Sequence, residues 1–435
     1  MNKYKVNSGW LTVILLSVIP FILWIFAPKA DVPFANFQNS LISFGEIFGL
    51  VGLVMFSITL ILASRLKFLE PLFGGLNRIY EKHNILGQIS FILLLFHPLL
   101  LLPRYASNIK ETSSFLFFSG LWARNFGIIA LWMMIILIIL TLYLRPKYNL
   151  WKNIHKFFGV ALFFGALHVY FIPGYVMNNP ILKIYILIFA VAGIVAFLYR
   201  SVFARFVIKT YGYIVEDIKK MSDDIMEITL RPASKSVDFN AGQFIFISFE
   251  QEGFSSESHP FSISSSPSER YLKITVKKLG DYTADLYSRL RIGTFARVEG
   301  PFGMFSYARS KNSNQIWIAG GIGITPFISF IKDLTIKKID YSVQLFYCVE
   351  DEHEAVYLDL LNSLSLKSNN KLKIIPFYFQ EKGYINVNYL KNNIDNLSRK
   401  EIFICAPPRM IQELKTDFME SSISKSLIHS EEFNF

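Results

Sequence analysis

Two apolar stretches, residues 83–102 and 151–171, each carry a pair of histidines: His83 and His97 on the first, His155 and His168 on the second. At about 1.5 Å of rise per residue, these spacings set the members of each pair about 20 Å apart along a helix axis. The spacings are also close to whole numbers of turns, about 3.9 and 3.6, so each helix shows both histidines on roughly one face. One imidazole of each pair then stands near each side of a hydrocarbon core about 30 Å thick. Two such helices side by side offer two facing imidazole pairs stacked across a membrane, the donor set that two six-coordinate haem irons need. A single intramembrane histidine is usually a hydrogen-bonded packing residue. Four of the chain's seven histidines at near-matched spacing argue otherwise, because ionisable groups in a bilayer are costly and mostly functional. Zinc is the weaker alternative: the pairs are too far apart to share an ion, and two imidazoles alone do not complete a tetrahedral site.

With 435 residues, 52% hydrophobic and 18% charged, the chain is too apolar for an ordinary soluble protein and long enough for several domains. The apolar excess sits in the first half, where six spans read at 10–26, 41–63, 83–102, 126–144, 151–171 and 181–199. The first resembles a signal peptide behind Lys3 and Lys5, but Pro28 and Lys29 interrupt Ala27 and Ala30, so no clean cleavage site follows and the span is read as retained. One set of loops holds Lys3, Lys5, Arg65, Lys67, Arg78, Lys82, Arg145, Lys147, Lys152, Arg200 and Arg205. The other holds mainly Lys29, Arg104, Lys110 and Arg124. Short cytoplasmic loops concentrate lysine and arginine, so both ends are expected inside, with His83 and His155 as the inner pair and His97 and His168 as the outer pair. The net charge of +11 is read in the same way, as topology and not as a nucleic-acid surface. Arg124 reads first as an interfacial anchor, and second as a partner for a haem propionate or an anionic species. Cys348 and Cys405 both fall in the globular half and form no disulfide framework, which fits a reducing cytosol.

After Arg205 the pattern becomes globular. Segments 213–215, 225–230, 244–249 and 272–276 have the length and residue types of strands in a small antiparallel barrel. From Gln315 the order is strand, glycine loop, helix, strand, with 316–319, 343–348 and 402–405 as buried parallel strands. The expected architecture is therefore multi-domain: an all-α six-helix transmembrane bundle over 1–205, an antiparallel β-barrel over 206–310 and an α/β nucleotide-binding domain over 311–435. His259-Pro260-Phe261-Ser262 reads as a serine-rich turn entering a strand, where an aromatic ring beside a hydroxyl suits a planar cofactor. Lys277 precedes Gly280-Asp281-Tyr282-Thr283, which opens a helix; free backbone N–H groups beside a lysine suit a pyrophosphate. Gly320-Gly321-Ile322-Gly323-Ile324-Thr325-Pro326 follows a buried strand, with Thr325 expected as the N-cap and Pro326 at the first helical position. Three glycines there favour a bound ligand over a plain turn, although the run is not the Gly-x-Gly-x-x-Gly fingerprint. Cys405 at the end of the last buried strand is expected to face the ligand crevice, with ordinary core packing as the alternative. Terminal aromatics at Phe433 and Phe435 suggest stacking on a partner.

Taken together, six spans with His-x13-His on the third and His-x12-His on the fifth, then His-Pro-Phe-Ser, Gly-Asp-Tyr-Thr, Gly-Pro-Phe-Gly at 300–303, Gly-Gly-Ile-Gly-Ile-Thr-Pro and Cys-x-Pro-Pro-x-Met resemble the NADPH oxidase and ferric reductase superfamily, nearest its bacterial members. The resemblance covers nearly the whole chain, with the motifs in the family's order. It implies a cytosolic FAD and NAD(P) module, similar to ferredoxin-NADP reductase, feeding two b-type haems whose axial ligands are His83 with His155 and His97 with His168. By the same analogy, Ser262 would bond near the flavin's reactive nitrogen, with Pro260 and Phe261 beside it. His259, Lys277, Gly280 and Thr283 would hold FAD phosphates or ribityl groups, and Phe433 or Phe435 would stack on the flavin. Gly320, Gly321, Gly323, Thr325 and Pro326 would hold the nicotinamide cofactor's pyrophosphate, with Cys405 near its reactive carbon; Ser262, Cys405 and Phe433 are thus the expected catalytic set.

The implied activity is a membrane NAD(P)H oxidase reducing oxygen to superoxide on the outer side, embedded in the lipid of a cell (inner) membrane with its FAD/NAD(P) module cytoplasmic. The alternatives are a ferric-chelate reductase, or an electron-supply subunit for an extracytoplasmic protein. Where the family often has arginine for the NADP 2′-phosphate, this chain has Glu350, which repels a phosphate and accepts from a ribose diol; a weaker preference for NADPH, with better use of NADH, is expected.

Overall fold

The computed structural model describes residues 8–29, 32–105, 112, 115, 117–144, 146, 148–174, 178–310, 312–367 and 371–432. Lys3, Lys5, Ala30, Lys110, Arg145, Lys147, Phe433 and Phe435 lie outside the described residues. The chain forms two compact units, one ending at Ile208 and one running from Lys209 onward.

The first unit is helical throughout. Its long helices are α1 (Ser8–Ile25), α2 (Phe37–Ala63), α3 (Leu76–Leu101), α4 (Trp122–Ile138), α5 (Tyr148–His155), α6 (Phe158–Phe171) and α7 (Pro180–Phe197). With their short 3-10 and π extensions they supply six segments long and apolar enough to cross a membrane: Ser8–Ile25, Phe37–Ala63, Leu76–Arg104, Trp122–Tyr143, Leu150–Phe171 and Pro180–Val202. Each contains or overlaps one of the six runs read from hydropathy. Helices form here because only a helix satisfies its own backbone groups in lipid. The Asn36 side chain accepts from Asn39 N at 2.8 Å to start α2, and Asn179 accepts from Leu182 N at 3.0 Å to start α7, with Pro180 just inside. The fifth span is broken after His155, where Ile154 O takes the Phe157 N–H and the ladder restarts at Phe158.

The second unit contains two sheets. Strands β1 (Tyr211–Lys220), β2 (Ile225–Pro232), β3 (Phe244–Glu250), β4 (His259–Ser262), β5 (Leu272–Lys277) and β6 (Phe295–Phe302) pair antiparallel in the order β4-β3-β6-β1-β2-β5. Helix α8 (Asp281–Arg289) follows β5. The apolar residues of β1, β2, β3 and β5 close around Val215, Ile228, Ile247 and Ile274, each fully buried. The second sheet is parallel, in the order β11-β10-β7-β8-β9, from β7 (Asn314–Gly320), β8 (Ser342–Val349), β9 (Leu372–Tyr378), β10 (Glu401–Cys405) and β11 (Ile428–Glu431). Helices α9 (Thr325–Lys337), α10 (Leu358–Leu366), α11 (Val387–Asn393) and α12 (Pro408–Glu420) cover it. Two cores result: one around Trp317, Phe327 and Phe330, the other around Ile318, Ile404 and Phe418. Covering both faces explains why β7, β8 and β10 read as continuous apolar runs.

Three local expectations are corrected. His259–Ser262 is not a turn but strand β4, paired with β3 so that Ser262 lies opposite Phe244. Thr325 is not the N-cap: a 3-10 turn over Gly321–Ile324 precedes α9, Ile324 takes the cap position, and Thr325 opens the helix with Pro326 next. The Thr325 hydroxyl instead donates to Ile322 O at 3.1 Å, inside that turn.

Candidate functional site

In the helical unit, α2 supports both histidines of α3. The Nδ1 of His97 lies 2.7 Å from Gly45 O, and that of His83 lies 2.9 Å from Thr59 O. Gly45 and Thr59 are fourteen residues apart, the same step that separates the two histidines, so two antiparallel helices meet in register. His168 repeats the arrangement from α6 to α4, with Nδ1 2.7 Å from Ala123 O. A carbonyl can only accept, so each Nδ1 carries the proton and each Nε2 keeps its lone pair, the state a metal-binding imidazole requires.

A second regularity follows. In a helix the carbonyl of residue i lies under the side chain of residue i+4. Four residues past Gly45 is Gly49, where a Cβ would stand 2.5 Å from His97 Nδ1; four past Ala123 is Gly127, where a Cβ would stand 2.8 Å from His168 Nδ1. Four past Thr59 is Ala63, the next smallest side chain. Small residues at these positions let imidazoles reach helix carbonyls. Hydropathy missed this layer; its only sequence signal was the glycine spacing in the second span.

His155 is held differently. Its ring stacks on Trp151 at 5.0 Å and meets Phe158 edge-on at 5.1 Å, while its buried Nδ1 has no hydrogen-bond partner among the described residues. The His83 and His155 rings are 6.1 Å apart, centre to centre. Two imidazoles sharing one metal through bonds of about 2 Å have ring centres roughly 6 Å apart, so the spacing fits a common iron. Arg124 lies over the Tyr105 ring at 5.1 Å, as an interfacial anchor does. Among the described residues no group of three or more histidine, cysteine or acidic side chains could hold a metal ion by itself. The imidazole pairs therefore suit a metal whose remaining positions a macrocycle fills.

In the second unit the motifs converge from both sheets. His259 of β4 stacks on Tyr282 of α8 at 3.7 Å and 19°, which joins the His-Pro-Phe-Ser strand to the Gly-Asp-Tyr-Thr helix start. Glu257 lies 3.4 Å from the same imidazole. Thr283 caps this helix, its hydroxyl accepting from Leu279 N at 2.9 Å and Gly280 N at 3.1 Å. Lys277 stands between Glu354, at 3.1 Å, and Asp224, at 3.4 Å. Burial alone would lower the Lys277 pKa, but the two carboxylates outweigh it and hold it above its ordinary value. That lysine thus already balances two negative charges, which its position before the helix did not reveal.

Ser262 is buried opposite Phe244, whose ring packs with Phe246 and Phe302 at 5.8 and 6.1 Å. At Gly303, φ +95° places a Cβ 3.0 Å from the Phe244 ring and 3.6 Å from Glu431 Oε1. Glu431 in turn pairs with Cys405 across β11 and β10. Glu431, at the end of β11, therefore reaches the aromatic corner that holds Ser262. Cys405 is buried, and burial reinforced by Glu431 pushes its thiol well above the ordinary range.

The glycine loop explains two of its own glycines by packing. A Cβ on Gly320 would meet Ala406, Met410 and Pro407 at 2.8–3.0 Å, and one on Gly323 would overlap the Cys405 carbonyl. Gly321, with φ +54° and nothing within 4 Å of its Cβ position, is the one that faces open space. The two loops at the carboxyl ends of β7 and β10 are thus locked together, where open α/β sheets bind ligands. Glu350 is exposed just after β8, with Asp351, Glu352 and Glu354 beside it.

Comparison with known proteins assigns these parts. Residues 48–166 match the ferric reductase like transmembrane component, 211–315 an FAD-binding domain and 317–416 an oxidoreductase NAD-binding domain. In this order the three parts, with ferric reduction oxidases among the relatives, match the NADPH oxidase and ferric reductase superfamily. It is a multi-pass membrane protein and a flavin-dependent oxidoreductase with a nicotinamide-nucleotide module. Among its relatives, ferric reduction oxidase 5 of Arabidopsis thaliana is 25% identical over 354 residues, 78% of this chain and 48% of that protein. The chain thus spans about half the length of that superfamily member. The phenol hydroxylase P5 protein of Acinetobacter pittii is 28% identical over 247 residues, 53% of this chain and 67% of that one. A flavohemoglobin from Malassezia yamatoensis, solved with FAD and heme, shares the fold at TM-score 0.50 and 18% identity, covering 91% of this chain and 97% of that one.

Proposed function

We propose that this chain is a transmembrane NAD(P)H oxidase that moves electrons from a cytoplasmic FAD/NAD(P) module, through two b-type haems, to oxygen on the far side of the membrane, forming superoxide. The observation that carries this reading is the imidazole geometry: rings of His83 and His155 6.1 Å apart, with His83, His97 and His168 each fixed through Nδ1 to a helix carbonyl. When bound, FAD would take one hydride, an electron pair with its proton, from the nicotinamide, and haem irons would carry the electrons onward singly. His83 with His155 would hold the inner haem and His97 with His168 the outer one. With both axial positions taken by imidazole, the acceptor would be reduced without binding iron.

In the soluble module, Ser262 would present its hydroxyl to the flavin edge beside Pro260 and Phe261, while Phe433 or Phe435 would stack on the ring. The His259–Tyr282 stack, Lys277, Gly280 and Thr283 would position the FAD phosphate side. Gly320, Gly321, Gly323, Thr325 and Pro326 would receive the nicotinamide cofactor's pyrophosphate, and Cys405 would pack near the nicotinamide as a neutral thiol. The acidic loop at Glu350, Asp351 and Glu352 supports better use of NADH, because carboxylates repel a 2′-phosphate. The basic loops support an inside placement for both ends, with domain limits near residues 205 and 310.

A second reading is favoured by the relatives named ferric reduction oxidase: the same electron path ending on a ferric chelate. An extracytoplasmic protein acceptor would use the same path. Purified protein given NADH is expected to reduce cytochrome c in a dismutase-sensitive way. Ferric chelate reduction that ignores dismutase and exceeds the oxygen rate would replace oxygen with iron as the acceptor. Slow turnover with both, from flavin and haems that NADH still reduces, would point to the protein acceptor.

A further inference from the structure

We infer that the second unit carries a further anion site, apart from the residues assigned to flavin and nicotinamide, in a cavity of about 210 Å³ lined by β1, β2 and β5 of the antiparallel sheet and by α9, Tyr357 and α10, suited to one small organic anion with a carboxylate or phosphate group. Lys219 at the end of β1, Lys273 of β5 and Lys332 of α9 bring three ammonium groups to its wall. Lys273 is paired at 2.9 Å with Glu227, which also lines the cavity, and Lys332, 13% exposed in its side chain, has among the described residues the looser Glu269 at 3.5 Å as its one carboxylate partner. Lys219 has no carboxylate within ion-pair distance among the described residues. Three positive groups therefore meet two negative ones, and a nearly buried ammonium with a loose partner gains from an added anion.

The floor is apolar: Met221, Leu360 and the ring of Tyr357, which is 1% exposed. Cations at the rim over an apolar floor favour a charged group on a compact carbon body over a bare ion. The walls are already fixed in place. Tyr357 OH meets Thr275 Oγ1 at 2.7 Å, and Asp333, next to Lys332, bonds Ser266 at 3.3 Å and Tyr307 at 2.6 Å. A preformed cavity spends little of its binding energy on ordering. Along β5, Lys273, Thr275 and Lys277 lie on the side away from Leu272, Ile274 and Val276 of the barrel core, and Lys273 lines the cavity whereas Lys277 does not. An occupant would tie the FAD-binding sheet to helices α9 and α10 of the nucleotide-binding part.

The test uses full-length protein in detergent, saturated with FAD and NAD⁺ so that their phosphate sites are filled, titrated calorimetrically with inorganic phosphate and separately with malonate. One saturable site per chain for either probe is expected, and which probe binds tells phosphate from carboxylate chemistry. Lys219→Gln and Lys332→Gln should each weaken it at least tenfold while flavin content and NADH-driven flavin reduction without the probe stay unchanged. Lys219 is exposed, so its variant keeps the test decisive if Lys332→Gln folds poorly. Absence of saturable binding up to 10 mM of either probe would overturn the site, as would binding that the Lys219→Gln variant leaves unchanged.

Discussion

Gly49→Ala tests the histidine scaffold with a single methyl group. The added Cβ would stand 2.5 Å from His97 Nδ1, 2.7 Å from Cε1 and 3.0 Å from Cγ, where ordinary contact begins at 3.4 Å. Relief requires the imidazole to retreat by about 0.9 Å, whereas metal–ligand bonds tolerate only about 0.2 Å. The carbonyl bond to Gly45 O would be lost with it. Alanine is otherwise the better helix former by about 0.5–1 kcal/mol, so the helix itself should be as stable as before. The expected result is a folded protein whose haem content falls from two per chain toward one, measured as pyridine haemochrome against polypeptide. Two haems per chain and an unchanged low-spin spectrum in Gly49→Ala would refute the reasoning.

Other expectations concern the soluble unit. Gly323→Ala drives a methyl into the Cys405 carbonyl, a backbone atom that cannot swing aside, so a cost of about 1–3 kcal/mol and a several-fold rise in KM for NADH are expected with flavin content retained; unchanged KM and thermal midpoint would contradict the packing. Because burial and Glu431 raise the Cys405 pKa, its thiolate is scarce in the folded protein at pH 8, and iodoacetamide should label it at least about tenfold more slowly than in denaturant; equal rates would show an accessible thiolate. Asp224 is pushed up by burial but pulled lower overall by Ser222 and Lys277, so its folded pKa lies below the unfolded one. Its stabilisation is present above pH of about 4 and fades as the pH falls through the folded value; Asp224→Asn should flatten that acid limb, and an unchanged limb would remove the pairing from the account. Glu350→Arg should raise the NADPH to NADH ratio of kcat/KM at least about tenfold, the worth of one charge-assisted bond; no change would place the 2′-phosphate elsewhere.

The membrane spans were legible because hydropathy over about twenty residues depends on composition alone. The register of His83 and His97 on α3 was legible because helical periodicity is fixed; the break between His155 and His168 was not. What supports the histidines was not: the acceptors are carbonyls of Gly45, Thr59 and Ala123, and a carbonyl carries no residue signature. Strand β9 escaped notice because Pro376 sits within it, which is tolerable only since β9 is an edge strand. Strand β11 is four residues long and reads as tail until it pairs with β10. The two partners of Lys277 lie 53 residues before it and 77 after it, so only the folded chain brings those charges together. In the glycine loop, the sequence pointed to a ligand, and the fold adds that Gly320 and Gly323 also make room for the Cys405 loop.

The central claim is that four imidazoles clamp two haems in series with the flavin. It is tested most directly by the visible spectrum of the detergent-purified protein, with haem counted per chain, before and after NADH under nitrogen. Two haems per chain with low-spin b-type bands that NADH reduces fully, and loss of one haem in His97→Ala, are predicted. A spectrum without such bands, or one that NADH leaves oxidised while the flavin is reduced, would contradict the account.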